Sequence, residues 1–258
     1  MHLFLKRTIF LITLLSFNYN FAQTKKDLRK IIKQEDSTRL GEFINKGFDI
    51  NSDYSKGTSL LNRVILENKL ELTKFLLKQE SINYQRIQKD NFTTLHYLVS
   101  NGWYSLAKNI IERGVDPNTL GYKKSHILRS VLFNYQWGKD PKTSLEFIKH
   151  LYSKKINPQL SIDCCTQKTT LILLSCQWTE PTTVKFFIAK HPEKINDADH
   201  KGKTPLHYAV EKENVELVKL LLKNGAKSNI KDTKGLSAID YSIKTKNNEI
   251  IELLKTNN

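Results

Sequence analysis

Gly202-Lys203-Thr204-Pro205-Leu206-His207-Tyr208-Ala209-Val210 decides the fold, because this stretch recurs. It aligns without gaps to Asn91-Phe92-Thr93-Thr94-Leu95-His96-Tyr97-Leu98-Val99. The same offset carries Leu217–Leu222 onto Leu106–Ile111, Gly225 onto Gly114 and Asn229 onto Asn118. Gly57–Leu77 matches Gly202–Leu222, again without gaps. Thr or Ser anchors fall at Ser59, Thr93, Ser125, Thr169, Thr204 and Ser237, spaced by 34, 32, 44, 35 and 33 residues. Self-similarity at such a period is the signature of stacked repeats, each one supersecondary unit that cannot bury its apolar face alone.

The residues of one copy say what that unit is. Thr204 supplies a hydroxyl that accepts from an orphan N–H at a helix start, and Pro205 occupies the first helical position, where no N–H is needed. Leu206, Ala209 and Val210 recur at helical spacing, and Leu217, Val218, Leu220, Leu221 and Leu222 give a second helix a wider apolar stripe. Gly225 ends that helix in the left-handed conformation. Asp199-His200-Lys201-Gly202 and Asp232-Thr233-Lys234-Gly235 have the composition of tight turns closing hairpins.

These motifs resemble the ankyrin repeat, most closely in Thr204-Pro205-Leu206-His207 and Lys223-Asn224-Gly225-Ala226. The resemblance covers nearly the whole chain after residue 22. It implies an all-α fold, an ankyrin-repeat solenoid of about seven helix pairs with short β-hairpin loops. Residues 24–56 read as a polar N-terminal cap, 57–234 as repeats and 235–258 as a C-terminal cap. One copy is anomalous: about nine extra residues lie between Phe133 and Ser144, including Asn134-Tyr135-Gln136-Trp137-Gly138-Lys139-Asp140-Pro141, and alignment places them in the turn between two helices.

Residues 1–22 read as a signal peptide. Lys6 and Arg7 precede the ten-residue apolar run Thr8–Phe17, and Ala22 is a small residue before Gln23. A run of that length is too short for a hydrocarbon core, which needs about 20 residues. The expectation is export, to the periplasm or the medium, with no stable membrane insertion after cleavage.

The 258 residues include 41 Lys+Arg against 26 Asp+Glu, and removing Lys6 and Arg7 leaves a net charge of 39 − 26 = +13. Only seven of the basic residues are Arg, none beyond Arg129, and the Lys are scattered along the helices. Base readers rely on Arg forks, so a nucleic-acid partner is not expected, and a solvated basic surface is.

No catalytic constellation is visible: there is no Ser-His-Asp order, nucleophile elbow, phosphate-cradling Gly loop or paired carboxylates. His96 and His207 lie one helical turn from Thr93 and Thr204 and read as structural hydrogen-bonding groups. Asp197-Ala198-Asp199-His200 lacks the further oxygen ligands of a calcium loop. Cys164, Cys165 and Cys176 fit no zinc spacing; in an oxidising compartment a Cys165–Cys176 or Cys164–Cys176 disulfide is the alternative to free thiols. No metal and no cofactor are expected, and the chain reads as a non-enzymatic monomer.

Trp103, Trp137 and Trp178 align to the inter-helix turns of three consecutive repeats, where polar residues are usual. Two readings stay open: one continuous aromatic edge, with Tyr135 and Trp137 presented by the insertion, or three indoles folded back over their own helix pairs. Trp137 is expected to be partly exposed, and Trp103 and Trp178 more deeply buried. The ankyrin resemblance implies a protein partner held by hairpin tips, with candidates Tyr54, Arg86, Tyr122, Ile162, His200 and Lys231, and by first-helix faces. The alternative is a cell-envelope structural protein held on acidic polymers by its charge. A third reading is a periplasmic immunity or neutralising protein.

Overall fold

In the computed structural model, the described residues are 24–55, 57–85, 92–121, 125–135, 138–158 and 169–256. The expected signal peptide lies outside them. The chain divides into two compact units, residues 1–89 and 90–258.

The first unit holds two helix pairs. Helix α1 spans residues 24–34 and α2 spans Ser37–Asn45; α3 (Leu60–Leu66) and α4 (Leu70–Leu77) follow the short antiparallel strands β1 (Asp53–Ser55) and β2 (Thr58–Ser59). Leu28, Ile31 and Ile32 bury one stripe of α1, and Leu60, Leu61, Val64 and Ile65 do so for α3. This is the spacing of three and four that an amphipathic helix requires. Asp36 and Ser59 cap α2 and α3, their side chains accepting from the N–H of Arg39 and Asn62.

The second unit holds five pairs: α5 (Thr94–Ser100) with α6 (Tyr104–Glu112), α7 (Ile127–Asn134) with α8 (Pro141–Ser153), α9 (Leu171–Trp178) with α10 (Pro181–Lys190), α11 (Pro205–Glu211) with α12 (Val215–Lys223), and α13 (Ala238–Thr245) with α14 (Asn248–Thr256). First helices pack on first helices, α5 on α7, α7 on α9, α9 on α11 and α11 on α13. Second helices pack likewise, α6 on α8, α10 on α12 and α12 on α14. Phe147 and Phe187 are the largest fully buried side chains. With the first unit, the described residues form the expected seven helix pairs, and the fold is all-α.

Two bond systems fix the repeat spacing. Asn118 Oδ1 accepts from the N–H of Asn157 at 2.6 Å, and Asn196 Oδ1 accepts from the N–H of Lys227 at 2.8 Å. Asn51 and Asn83 make the same bond in the first unit, at 2.7 Å. The histidines do the rest. His207 Nδ1 accepts from the N–H of Thr204 at 3.1 Å, which makes Nε2 the protonated nitrogen, and it donates to the Leu236 carbonyl at 3.2 Å. His96 repeats this pattern, with Nδ1 2.8 Å from Thr93 Oγ1 and Nε2 donating to the Ser125 carbonyl at 3.4 Å. Both rings therefore have the structural role expected of them.

Each of these carbonyls belongs to the residue just before the next cap. The third and fourth caps are thus His126 and Thr170, one residue beyond the Ser125 and Thr169 expected from sequence. The cap positions 59, 93, 126, 170, 204 and 237 are spaced by 34, 33, 44, 34 and 33.

Two glycines carry their positions by backbone shape. Gly225 ends α12 at φ +89°, as expected. Gly202 has φ +73°, and a Cβ there would lie 2.9 Å from Asp232 Cα, so one hairpin rests directly on the next.

The insertion is shared between a turn and a helix. Residues 135–140 separate α7 from α8, and α8 runs 13 residues where α6 and α12 run nine. Pro141 begins α8, and Asp140 caps it by accepting from the N–H groups of Lys142 and Thr143.

Candidate partner-binding face

The first helices of the second unit carry the side chains that distinguish it, and they fall into two kinds. Around α11 and α13 the polar groups satisfy one another. The Tyr208 hydroxyl donates to Asp199 Oδ2 at 2.5 Å, and Tyr241 donates to Asp232 Oδ2 at 2.7 Å. Lys203 Nζ pairs with Glu211 and sits 5.6 Å and 4.9 Å from the ring centroids of Tyr208 and Tyr241. The Tyr241 hydroxyl and the N–H groups of Leu236 and Lys234 hold the Asp232 carboxyl down at about 2. This network ties hairpins to helices and is saturated.

Around α7 and α9 the surface is aromatic instead. Phe133 is 43% exposed and, with Ile243, is one of two exposed large apolar side chains among the described residues of the second unit. Trp178 meets it edge-on, ring centroids 5.8 Å apart, and the Arg129 guanidinium lies 5.5 Å from the Trp178 ring centroid on the other helix. An indole, a phenyl ring and a guanidinium in one half-buried patch combine apolar area with an orientable charge, the composition enriched at binding hot spots.

The expected site residues are placed as follows. Trp178 is the last residue of α9, on the first-helix face, which corrects its assignment to an inter-helix turn. Trp103 does end such a turn, as the residue preceding α6. Both are half-buried, and the described ring contacts of Trp178 run to Phe133 and Arg129. Tyr135 is half-buried, and its hydroxyl is used internally, 2.7 Å from Thr183 Oγ1 and donating to the Pro141 carbonyl at 3.2 Å. Tyr54 is not an exposed tip: it is 8% exposed, beneath the Arg63 guanidinium. His200 and Lys231 are exposed at the hairpins. Trp137, Arg86, Tyr122, Ile162, Cys164 and Cys165 lie outside the described residues. Cys176 is a free, fully buried thiol in α9, and burial pushes its pKa up. Among the described residues, no group of three His, Cys, Asp or Glu side chains is disposed to hold a metal ion. No helix of the described residues is long and apolar enough to cross a membrane.

Sequence reasoning missed Phe133 and Arg129. They sit four residues apart on α7, so the signal was an apolar residue in the polar stripe of a first helix.

Residues 142–232 and 174–258 match the family model for ankyrin repeats. The human ankyrin repeat domain of ASB11 superposes with a TM-score of 0.65 at 19% identity, covering 90% of this chain and 97% of that one. A chain from the complex of the Bd0816 predatory endopeptidase of Bdellovibrio bacteriovorus with immunity protein Bd3460 superposes with a TM-score of 0.63 at 20% identity, covering 78% and 98%. The family match and the shared fold make this chain an ankyrin-repeat protein. In sequence, it is 28% identical to human palmitoyltransferase ZDHHC13 over 192 residues, which is 73% of this chain and 29% of that protein. The chain spans less than a third of the length of the curated relatives it matches, and their transferase activity is not carried over.

Proposed function

We propose that this chain is an exported, non-enzymatic scaffold that holds a protein partner on the first-helix face of its second unit. The observation that carries this reading is the patch of Arg129, Phe133 and Trp178 across two consecutive repeats. A partner would lay an apolar or aromatic side chain against the exposed surface of Phe133 beside Trp178 and an acceptor against Arg129. His200 and Lys231, exposed at the hairpins, remain candidate tip contacts. The end of α7 and the start of α8 are both fixed by local bonds. Asn134 Nδ2 donates to the Val99 carbonyl at 2.5 Å and to the Tyr104 hydroxyl at 3.1 Å, and Asp140 and Pro141 start α8.

The test is affinity capture with the chain lacking residues 1–22, washed at rising salt. Proteins retained at high salt by the wild type and lost with Phe133→Ala support the reading. Progressive release of acidic polymers by salt, indifferent to Phe133, supports a cell-envelope role instead. Export is tested separately: the exported protein should begin at or near Gln23.

A second reading is favoured by the shared fold with a chain from an endopeptidase–immunity complex. Here the partner is an enzyme and the outcome of binding is its inhibition. Loss of a captured hydrolase's activity on adding the purified chain is the result that selects it.

A further inference from the structure

We propose that the first unit carries a separate site for an acidic polypeptide segment, in an open cleft of about 500 Å³ between α1, β1 and α3. Arg29, Lys33, Arg63 and Lys69 line it against a single carboxylate, Glu67. Four cations beside one acid repel one another unless an anion joins them.

The local bonds fix these charges in place. Arg63 is clamped by Glu67 at 2.5 Å and lies 5.7 Å from the centroid of the buried Tyr54 ring. Its Nε is buried without a hydrogen-bond partner among the described residues, which burial penalises and folding alone does not explain. Lys69 Nζ reaches the Lys33 carbonyl at 3.5 Å, bringing its charge to the end of α1. Arg29 and Lys33 are exposed, one helical turn apart, and have no ion-pair partner among the described residues. The nearby Glu35 carboxylate is occupied, accepting from the N–H of Glu71 at 3.0 Å.

The shape selects the class of ligand. Arg63 and Glu67 keep 41% and 32% of their side-chain surface exposed, so the cleft does not enclose a small molecule. Exposed ion pairs are individually weak, and affinity here needs several carboxylates presented together. An Asp- or Glu-rich segment crossing the cleft does this. The site lies wholly within residues 29–69 and does not depend on the aromatic patch.

The probe is a fluorescein-labelled peptide bearing six Glu, read by anisotropy on the full chain against its six-Gln counterpart. The acidic peptide should bind saturably and the Gln peptide should not. Arg29→Glu with Lys33→Glu should weaken binding at least tenfold. The control Lys185→Glu with Lys223→Glu makes the same change in net charge on exposed residues elsewhere and should shift affinity less than threefold. Phe133→Ala should leave it unchanged. Equal losses in the two double variants would reduce the effect to overall charge and overturn the site. So would saturable binding of inorganic phosphate that displaces the peptide, since the ligand would then be a small anion. Unchanged circular-dichroism melts of both double variants make the comparison valid, and Arg29→Gln with Lys33→Gln repeats it without added acids.

Discussion

Trp178 and Phe133 belong to consecutive repeats, yet their rings meet edge-on at 5.8 Å, with Phe133 still 43% exposed. The contact orders two aromatic side chains on a surface without covering them. Comparable side chains in the neighbouring repeats take the other course: Tyr208 and Tyr241 spend their hydroxyls on Asp199 and Asp232.

The core assignment makes the first prediction. Leu206 and Leu221 are fully buried in α11 and α12, whereas Lys231 is exposed. Leu206→Ala and Leu221→Ala should each lower unfolding free energy by about 2–5 kcal/mol. Lys231→Ala should leave it nearly unchanged. Urea titrations of the three variants check this.

The second concerns pH. His96 and His126 are fully buried, and burial pushes each ring down to about 4, with the neighbouring His96 adding to the effect on His126. Unfolded histidine titrates near 6.5, so between about 4 and 6.5 the unfolded chain binds more protons. Stability is therefore full above about pH 6.5 and falls as pH drops toward 4, by up to ~3 kcal/mol per ring. Among the described residues, His126 has no hydrogen-bond partner on either ring nitrogen. His126→Thr, which restores a hydroxyl at the cap, should raise the urea midpoint at pH 5 more than at pH 7.

The third separates strain from space. Gly225 and Gly202 both have positive φ, but a Cβ meets nothing within 4 Å at Gly225 and sits 2.9 Å from Asp232 Cα at Gly202. Gly225→Ala should cost about 1–2 kcal/mol, the strain of the left-handed region for a residue with a Cβ. Gly202→Ala should cost more, and its excess should shrink if the Asp232–Gly235 hairpin is already loosened by Tyr241→Phe. Thermal melts of the single and double variants measure the difference.

Much of the fold was legible because caps, apolar stripes and glycines recur at one period. The register slipped by one where chemistry at the cap changed. His126 is not a hydroxyl residue, so Ser125 drew the alignment, and Thr169 and Thr170 compete in the next copy. The aromatic patch was half legible. Trp178 stood out as an indole, but Phe133 passed as one more apolar residue of α7, because exposure depends on which way a short helix turns its last residues. Tyr54 looked like a tip because its hairpin is one; alternation along β1 turns that side chain inward. The basic cleft was not legible at all. Arg29 and Lys69 are forty positions apart, and only the packing of α1 beside α3 brings them to one surface.

The most direct measurement of the account is made on Trp178→Ala, reading partner affinity and unfolding free energy from the same preparation. The account predicts that affinity for the captured partner falls by more than ~1 kcal/mol while stability changes by less than about 1 kcal/mol, because the indole is half-buried on a surface. A loss of about 3–5 kcal/mol of stability, with affinity per folded molecule unchanged, would show that Trp178 is a core residue and contradict the binding face.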